Sequence, residues 1–415
     1  MTLLLAAATG GAAQTSLDEC LRAGFARNTG YRQNRLETEN MRASLAASRL
    51  AMLPTVSASF DNDFYWHKFP PFTKTPSVGI SGKVVLFKGL TIHNEIAAAK
   101  IECKLAPVYL EGKRQDLASS IIEAYIQILL DKEALTLATS NCATSLLERD
   151  KTRQLTSGGA QPASALAQME AQLAGDRASV TEAVCRVKTD ILSLLQLLDL
   201  PYDSSFDILP LDEDLENPPA PLSREVMERA VLSNPKTVYA EGRVKSGKAA
   251  LKAAKGALSP EIFISGAYGA TLGKGHHRDV SYLSIGIALP ILTSGETYSG
   301  IRGARLSLKA AELEAYTTER KVEAELERLS LEAENSYSKL LSCRTNVASL
   351  ARLLEINRAK YEKGACSILD YTVAKNNLVK AETGLLEAKW QYIFQKKLLD
   401  LYLDGKMTEY EDTDK

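Results

Sequence analysis

The side chains that could do chemistry are few and scattered. Four histidines include one adjacent pair, His276-His277, which could share a metal ion but lies in a polar turn where solvation explains it. Six cysteines, Cys20, Cys103, Cys142, Cys185, Cys343 and Cys366, contain no C-x-x-C spacing, so neither a zinc site nor a redox pair is implied. Gly242-Arg-Val-Lys-Ser-Gly247-Lys248-Ala249 nearly spells a loop whose backbone N–H groups cradle phosphates. Ala249 stands where a magnesium-binding Ser or Thr is needed, and the stretch reads as helix with no strand before it. No Ser-His-Asp or Cys-His set surrounds an evident pocket. These residues imply no enzyme, no cofactor and no metal.

Composition narrows the remaining classes. Basic and acidic residues balance, 50 against 51, so nothing points to nucleic acid. No run of 18 apolar residues exists, which leaves strands as the means of crossing a membrane. Residues 1–13 are small and apolar and end in Gly11-Ala12-Ala13, like the remnant of a secretory signal, although the usual positive start is missing. Cys20 lacks lipid-attachment spacing.

The elements that must do the positioning are written twice. Gly24-Phe25-Ala26-Arg27-Asn28 answers Ala230-Val231-Leu232-Ser233-Asn234, and Ala43, Pro54 and Gly89 answer Ala249, Pro260 and Gly295, all at an offset of 206 residues. Gly159 with Gly364 and Leu173 with Leu378 keep an offset of 205. The expected division is therefore a first repeat over 14–199, a Pro-rich acidic linker over 200–222, a second repeat over 223–403 and an acidic tail over 404–415. Each repeat reads as helix, two strands, long helix, turn, helix. Ser16-Leu-Asp-Glu19 is a capping box opening the first helix, which Pro54 ends.

After Pro54 the pattern switches to a period of two. Val56, Ala58, Phe60, Phe64 and Trp66 share one face of a strand, and Ser57, Ser59, Asp61 and Asp63 share the other. The first set is expected to face lipid and the second a lumen. Val78, Ile80, Val84 and Leu86 continue the apolar face in the next strand, and Ile262, Ile264 and Tyr268 in the third. Leu283, Ile285, Ile287 and Leu289 fall on the opposite parity in the fourth, so a bulge or a one-residue slip is expected there. A barrel in lipid must close and needs at least about eight strands. Four strands per chain cannot close one, whereas three copies supply about twelve.

The helices set the scale. Residues 91–157 and 296–363 would each run on the order of 100 Å, and the flanking helices about 55 Å, so two short helices laid end to end match one long one. Pro107 and Gly112 predict a kink or break in the first long helix. In the second, Val322, Leu326, Leu329, Ala333, Ser336, Leu340, Cys343, Val347, Leu350, Leu354, Asn357 and Tyr361 step by four and three residues without interruption. Such a seam implies a left-handed supercoil against other helices. Cys142 and Cys185 fall opposite one another about the Gly159 turn, either as two separate thiols or as a disulfide pair.

The order and duplication of these features resemble the TolC-like outer-membrane efflux proteins. The likeness covers nearly the whole chain after Thr15. It rests on the A-L-x-x-N-like helix starts, Pro54 and Pro260, the glycines after each hairpin, and Tyr361-Glu-Lys-Gly364-Ala-Cys-Ser-Ile-Leu-Asp370. The resemblance implies a mainly α fold with β: long antiparallel coiled-coil helices forming an α-barrel tunnel, and four strands per chain in a trimeric twelve-stranded transmembrane barrel. It implies a homotrimer in outer-membrane lipid, with the tunnel in the periplasm, a periplasmic adaptor and an inner-membrane transporter as partners, and a passive exit duct as the function. The rival reading is a periplasmic adaptor or coiled-coil scaffold without a pore. Gly159 and Gly364 would mark the tip turns, and Tyr361 and Asp370 a constriction of the periplasmic gate. Ala165 stands where a matching acid would fall in the first repeat, and Val373 where some members carry a second acid, so the charge ring would be thinner.

Overall fold

The computed structural model describes residues 14–66, 73–211, 215–219, 222–273, 276–291, 295–363 and 365–404. The signal remnant over 1–13, the tail from 405 onward and the Gly364 turn lie outside the described residues.

In chain order the elements are β1 (Gln14–Thr15), α1 (Leu17–Arg27), α2 (Thr29–Leu50), β2 (Thr55–Tyr65), β3 (Thr73–Lys88), α3 (Thr91–Ser157), α4 (Ala163–Leu197), β4 (Asp207–Ile208), α5 (Arg224–Ser233), α6 (Pro235–Gly256), β5 (Glu261–Gly273), β6 (His276–Ala288), α7 (Glu296–Glu362) and α8 (Ile368–Asp404). Helix, strand pair, long helix and second helix thus occur twice, and each long helix has 67 residues. Ser16 and Glu19 form the capping box at α1.

Two details differ from the sequence reading. The helix before each strand pair is divided. At Asn28 the backbone leaves the helical region (ψ 120°). Its side chain accepts the Tyr31 N–H (2.8 Å) and donates to the Leu197 carbonyl (2.9 Å), so it serves the start of α2 and fixes the break. Asn234 likewise leaves the helical region (ψ 130°) at the end of α5, ahead of Pro235, whose ring disfavours the helical conformation in the residue before it. The second difference concerns Pro107 and Gly112: of the kink or break expected there, the break does not occur, and α3 runs continuously through both. The missing N–H removes one intrahelical bond, but Leu105 and Ala106 beside it are buried, and that packing holds the helix.

Packing divides the chain into two compact units that cut across the repeat. One comprises residues 1–33, 112–234 and 322–415; the other comprises 34–111 and 235–321. In the first, Cys20, Leu21 and Phe25 of α1 meet Ile121, Tyr125 and Ile128 of α3, Leu194 of α4, Ile208 of β4 and Ile393 of α8. Tyr125, buried in that core, donates its hydroxyl to the Leu209 carbonyl (2.6 Å), and β1 pairs in parallel with β4. The seam on α7 is buried from Val322 to Leu340 and half-buried from Cys343 to Tyr361. Cys142 and Cys185 are both free thiols.

The second unit holds one antiparallel sheet in the order β2-β3-β5-β6, with α2, α3, α6 and α7 leading into or out of its strands. Gly89 and Gly295 each take a left-handed conformation (φ +53° and +79°) where a strand turns into a long helix.

Candidate functional site

Cross-strand register sorts the sheet's side chains into two faces. Val56, Ala58 and Phe60 stand opposite Gly82, Ile80 and Val78, and Ile80 in turn stands opposite Tyr268. Ile262 and Ile264 pair with Ile287 and Ile285, so the even residues of β5 oppose the odd residues of β6. The shift expected in the fourth strand is therefore taken up in the β5–β6 pairing, which aligns Leu283, Ile285 and Ile287 with the apolar face. The bulge sits instead in β3, between Val85 and Phe87.

That apolar face is bare. Val56 is 72% exposed, Phe60 68%, Trp66 77% and Ile285 75%, and Phe64 is exposed as well. Contiguous large side chains of this kind mark a surface made for another apolar phase or partner. Ser57, Ser59, Asp61 and Asp63 lie on the opposite face. There Ser57 meets Ser81 (2.9 Å), Ser265 meets Ser284 (3.0 Å), and the Lys83 ammonium donates to Glu261 (2.7 Å), with Lys88 at 3.3 Å. Among the described residues β2 and β6 each have one strand neighbour only, so both outer edges offer unpaired N–H and C=O groups.

The second group of expected site residues lies in the other unit, where α3 gives way to α4 and α7 to α8. Gly159 (φ +74°) ends α3, and the Ala160 N–H returns to the Leu155 carbonyl (2.8 Å) to close the turn. Tyr361, in the last turn of α7, accepts a hydrogen bond from the Gln161 amide (2.7 Å) and stacks on Tyr371, with ring centroids 5.5 Å apart. Tyr371 donates its hydroxyl to Glu148 of α3. Lys375, only 5% exposed, donates to the same carboxylate (2.6 Å) and to the Ser145 hydroxyl (2.8 Å). Ser145 donates to Asp176 of α4, and Gln172 bonds both Asp176 (3.0 Å) and Asn376 (3.2 Å). One polar chain thus joins α3, α4 and α8.

Asp370 is exposed and, among the described residues, makes no hydrogen bond to that network, its partners being Ser367 and Cys366. Its carboxylate accepts from the Ser367 hydroxyl (2.6 Å), while its N–H donates to the same oxygen (3.1 Å), a reciprocal cap on the first turn of α8. The Ser367 hydroxyl holds this carboxyl below the usual carboxylate range. Among the described residues no hydrogen bond joins Asp370 to Tyr361; the neighbouring Tyr371 contacts Tyr361 by ring stacking instead. Ala165 is buried and Val373 exposed. Sequence reasoning missed Gln161, Glu148 and Lys375. The available signal was a lysine one helical turn from Tyr371 on an otherwise apolar face.

A family described as outer membrane efflux protein matches residues 226–403. The outer membrane efflux protein BepC of Brucella suis biovar 1 (strain 1330) is 23% identical over 381 residues, covering 90% of this chain and 81% of that protein. The CmeC outer membrane channel of Campylobacter jejuni superposes with a TM-score of 0.80 at 17% identity, over 94% of this chain and 85% of that one. The MtrE outer membrane channel of Neisseria gonorrhoeae, in its open state, superposes with a TM-score of 0.76 at 21% identity, over 94% and 88%.

Proposed function

We propose, from the resemblance to the TolC-like outer-membrane efflux proteins, supported by the family match over residues 226–403 and by the shared fold, that the chain is one third of an outer-membrane exit duct. Three copies close the four-stranded sheets into a twelve-stranded barrel, Val56, Phe60, Phe64 and Trp66 meet lipid, and Ser57, Ser59, Asp61 and Asp63 line the lumen. Residues 14–199 and 223–403 act as two repeats joined by 200–222. The helices continue the duct into the periplasm, where an adaptor connects it to an inner-membrane transporter. Energy is supplied by that transporter, and the duct itself is passive.

The observation that carries this reading is a bare apolar face on a sheet with two open edges. Each unpaired backbone group in lipid costs several kcal/mol, so such a sheet cannot stay open there. A pore-free adaptor or scaffold has no use for that face. At the helical turns, three-fold symmetry would bring three Asp370 carboxylates near one axis, where they attract cations, and Tyr361 would hold the constriction through Gln161.

Light scattering of the purified protein in mild detergent tests the assembly. A trimer mass is expected; a monomer mass overturns the closed barrel.

A further inference from the structure

Beside the sheet, the two copies differ in charge. On α6, Lys248, Lys252 and Lys255 repeat at four and three residues and share one exposed face; on α7, Arg302, Arg305 and Lys309 repeat at three and four and do the same. None of these six makes an ion pair with an acid among the described residues. The next acids along the two faces, Glu241 and Glu312, lie farther from the sheet. At the positions of α2 that answer the α6 lysines, the chain has Arg42, Ala46 and Arg49.

The two stripes form one surface. α6 is flanked by α3, through the Ser246 to Glu102 hydrogen bond (3.0 Å) and the Thr91 hydroxyl on the Ala253 carbonyl (3.1 Å), and by α7, through Gly247 against Leu308. Both lateral sides of α6 are therefore occupied within the chain. Projected at 3.6 residues per turn, these contacts leave a narrow arc on one side and a broad arc on the other, and the lysines fall in the broad arc. α7 leaves the same hairpin in the opposite direction, and its basic residues lie about a quarter turn from Leu308, which turns them to the same side as the lysines. In a wall of helices curving round a lumen, the broad arc is the outer side. Lys255 comes five residues before Pro260 and Arg302 seven after Gly295, so both are within about 8 to 11 Å of where the sheet begins.

We propose that this basic surface docks the anionic phospholipid headgroups of the leaflet next to the sheet's helical end. The inference rests on the sheet spanning a membrane. Charge and depth agree: the cations nearest the sheet sit at headgroup distance, and those below remain within reach of a screened surface potential. The surface would gather phosphates chiefly along the α6–α7 side of each protomer, where six cations stand against Arg42 and Arg49 of α2.

The test uses the full chain in nanodiscs of phosphatidylcholine containing a minority of phosphatidylglycerol. After transfer to neutral detergent, the phosphatidylglycerol retained per protein is counted by mass spectrometry. A variant with Lys248→Gln, Lys252→Gln, Lys255→Gln, Arg302→Gln, Arg305→Gln and Lys309→Gln should enter the discs as the parent does but retain several-fold less of this lipid. A control with Lys339→Gln, Arg344→Gln and Arg352→Gln should retain the parent's amount. Equal retention by parent and six-site variant overturns the proposal while leaving the barrel reading intact. Failure of the parent itself to enter discs removes the membrane reading and the proposal with it. A changed anion-to-cation selectivity in planar bilayers, with lipid retention unaltered, would put the six cations in the lumen and also overturn it.

Discussion

Where α4 begins, Pro162 offers no side chain to cap the helix, and the turn before it is closed by backbone bonds around Gly159. Where α8 begins, Ser367 and Asp370 cap each other's groups, and one turn on, Tyr371 and Lys375 reach across to Glu148 of α3. The two hairpins share a backbone plan and differ in chemistry. Ties between the hairpins run both ways: Tyr371 and Lys375 of α8 donate to Glu148 of α3, and Gln161 and Gln172 donate to Tyr361 and Asn376, so α8 and the end of α7 carry the polar ties available to a gate. The first hairpin carries a different charge device: Asp190 of α4 lies beside Asp131 of α3, and its pKa is pushed up to about 7, first by burial and then by the Asp131 carboxylate, with Arg186 opposing.

The largest expected effect comes from cutting the tie between hairpins. Glu148→Leu leaves the buried Lys375 ammonium with only the Ser145 hydroxyl, and an uncompensated buried charge costs about 3 to 5 kcal/mol. Thermal melting of the assembled protein should drop accordingly; an unchanged transition would mean that the second hairpin does not lean on the first.

A smaller effect separates the two roles of Asp370. Ser367→Ala removes the cap and should cost about 1 kcal/mol without changing ion selectivity. Asp370→Ala should widen single-channel conductance and lower cation preference, and Tyr361→Phe should loosen the closed state without altering selectivity. If Ser367→Ala and Asp370→Ala are indistinguishable in conductance, Asp370 is a helix cap and the gate assignment falls.

The smallest effect belongs to the first hairpin. A carboxyl whose folded pKa is raised binds more protons folded than unfolded, so its stabilising contribution is present below about pH 4 and is lost as pH rises through about 7. Melting temperature should therefore fall between mildly acidic and neutral pH, and Asp190→Asn should flatten that slope. An identical slope in the variant would assign it to other groups.

The parts legible in the sequence are those governed by period and covalent geometry. Alternation along β2 sorted Val56 and Phe60 from Ser57 and Ser59, and a seam stepping by four and three from Val322 to Tyr361 identified the buried side of α7. Asn234-Pro235 carried a readable helix break, and the offset that pairs it with Asn28 would have extended the break to the first copy. Lys375 stands out only as a lysine one turn from Tyr371 on an apolar face, and its partner was not legible, because Glu148 lies 227 residues away and no local pattern reports such a partner. The pairing of β1 with β4 escaped for the same reason: two residues on each strand carry no period. Leu283, Ile285 and Ile287 stood out as an apolar set, but the pairing that turns them to the face of Ile264 is a property of the hairpin register.

The central claim is that the bare face of the sheet meets lipid and the polar face a lumen, and the neighbouring residues Ser59 and Phe60 test it directly. Outer-membrane yield of assembled trimer is measured for Phe60→Arg and for Ser59→Arg. Phe60→Arg should lose assembly, since a mid-bilayer arginine on the lipid face costs about 2 to 4 kcal/mol; Ser59→Arg should assemble normally and alter conductance. Equal losses from both, or a loss from Ser59→Arg alone, would contradict the two-faced barrel.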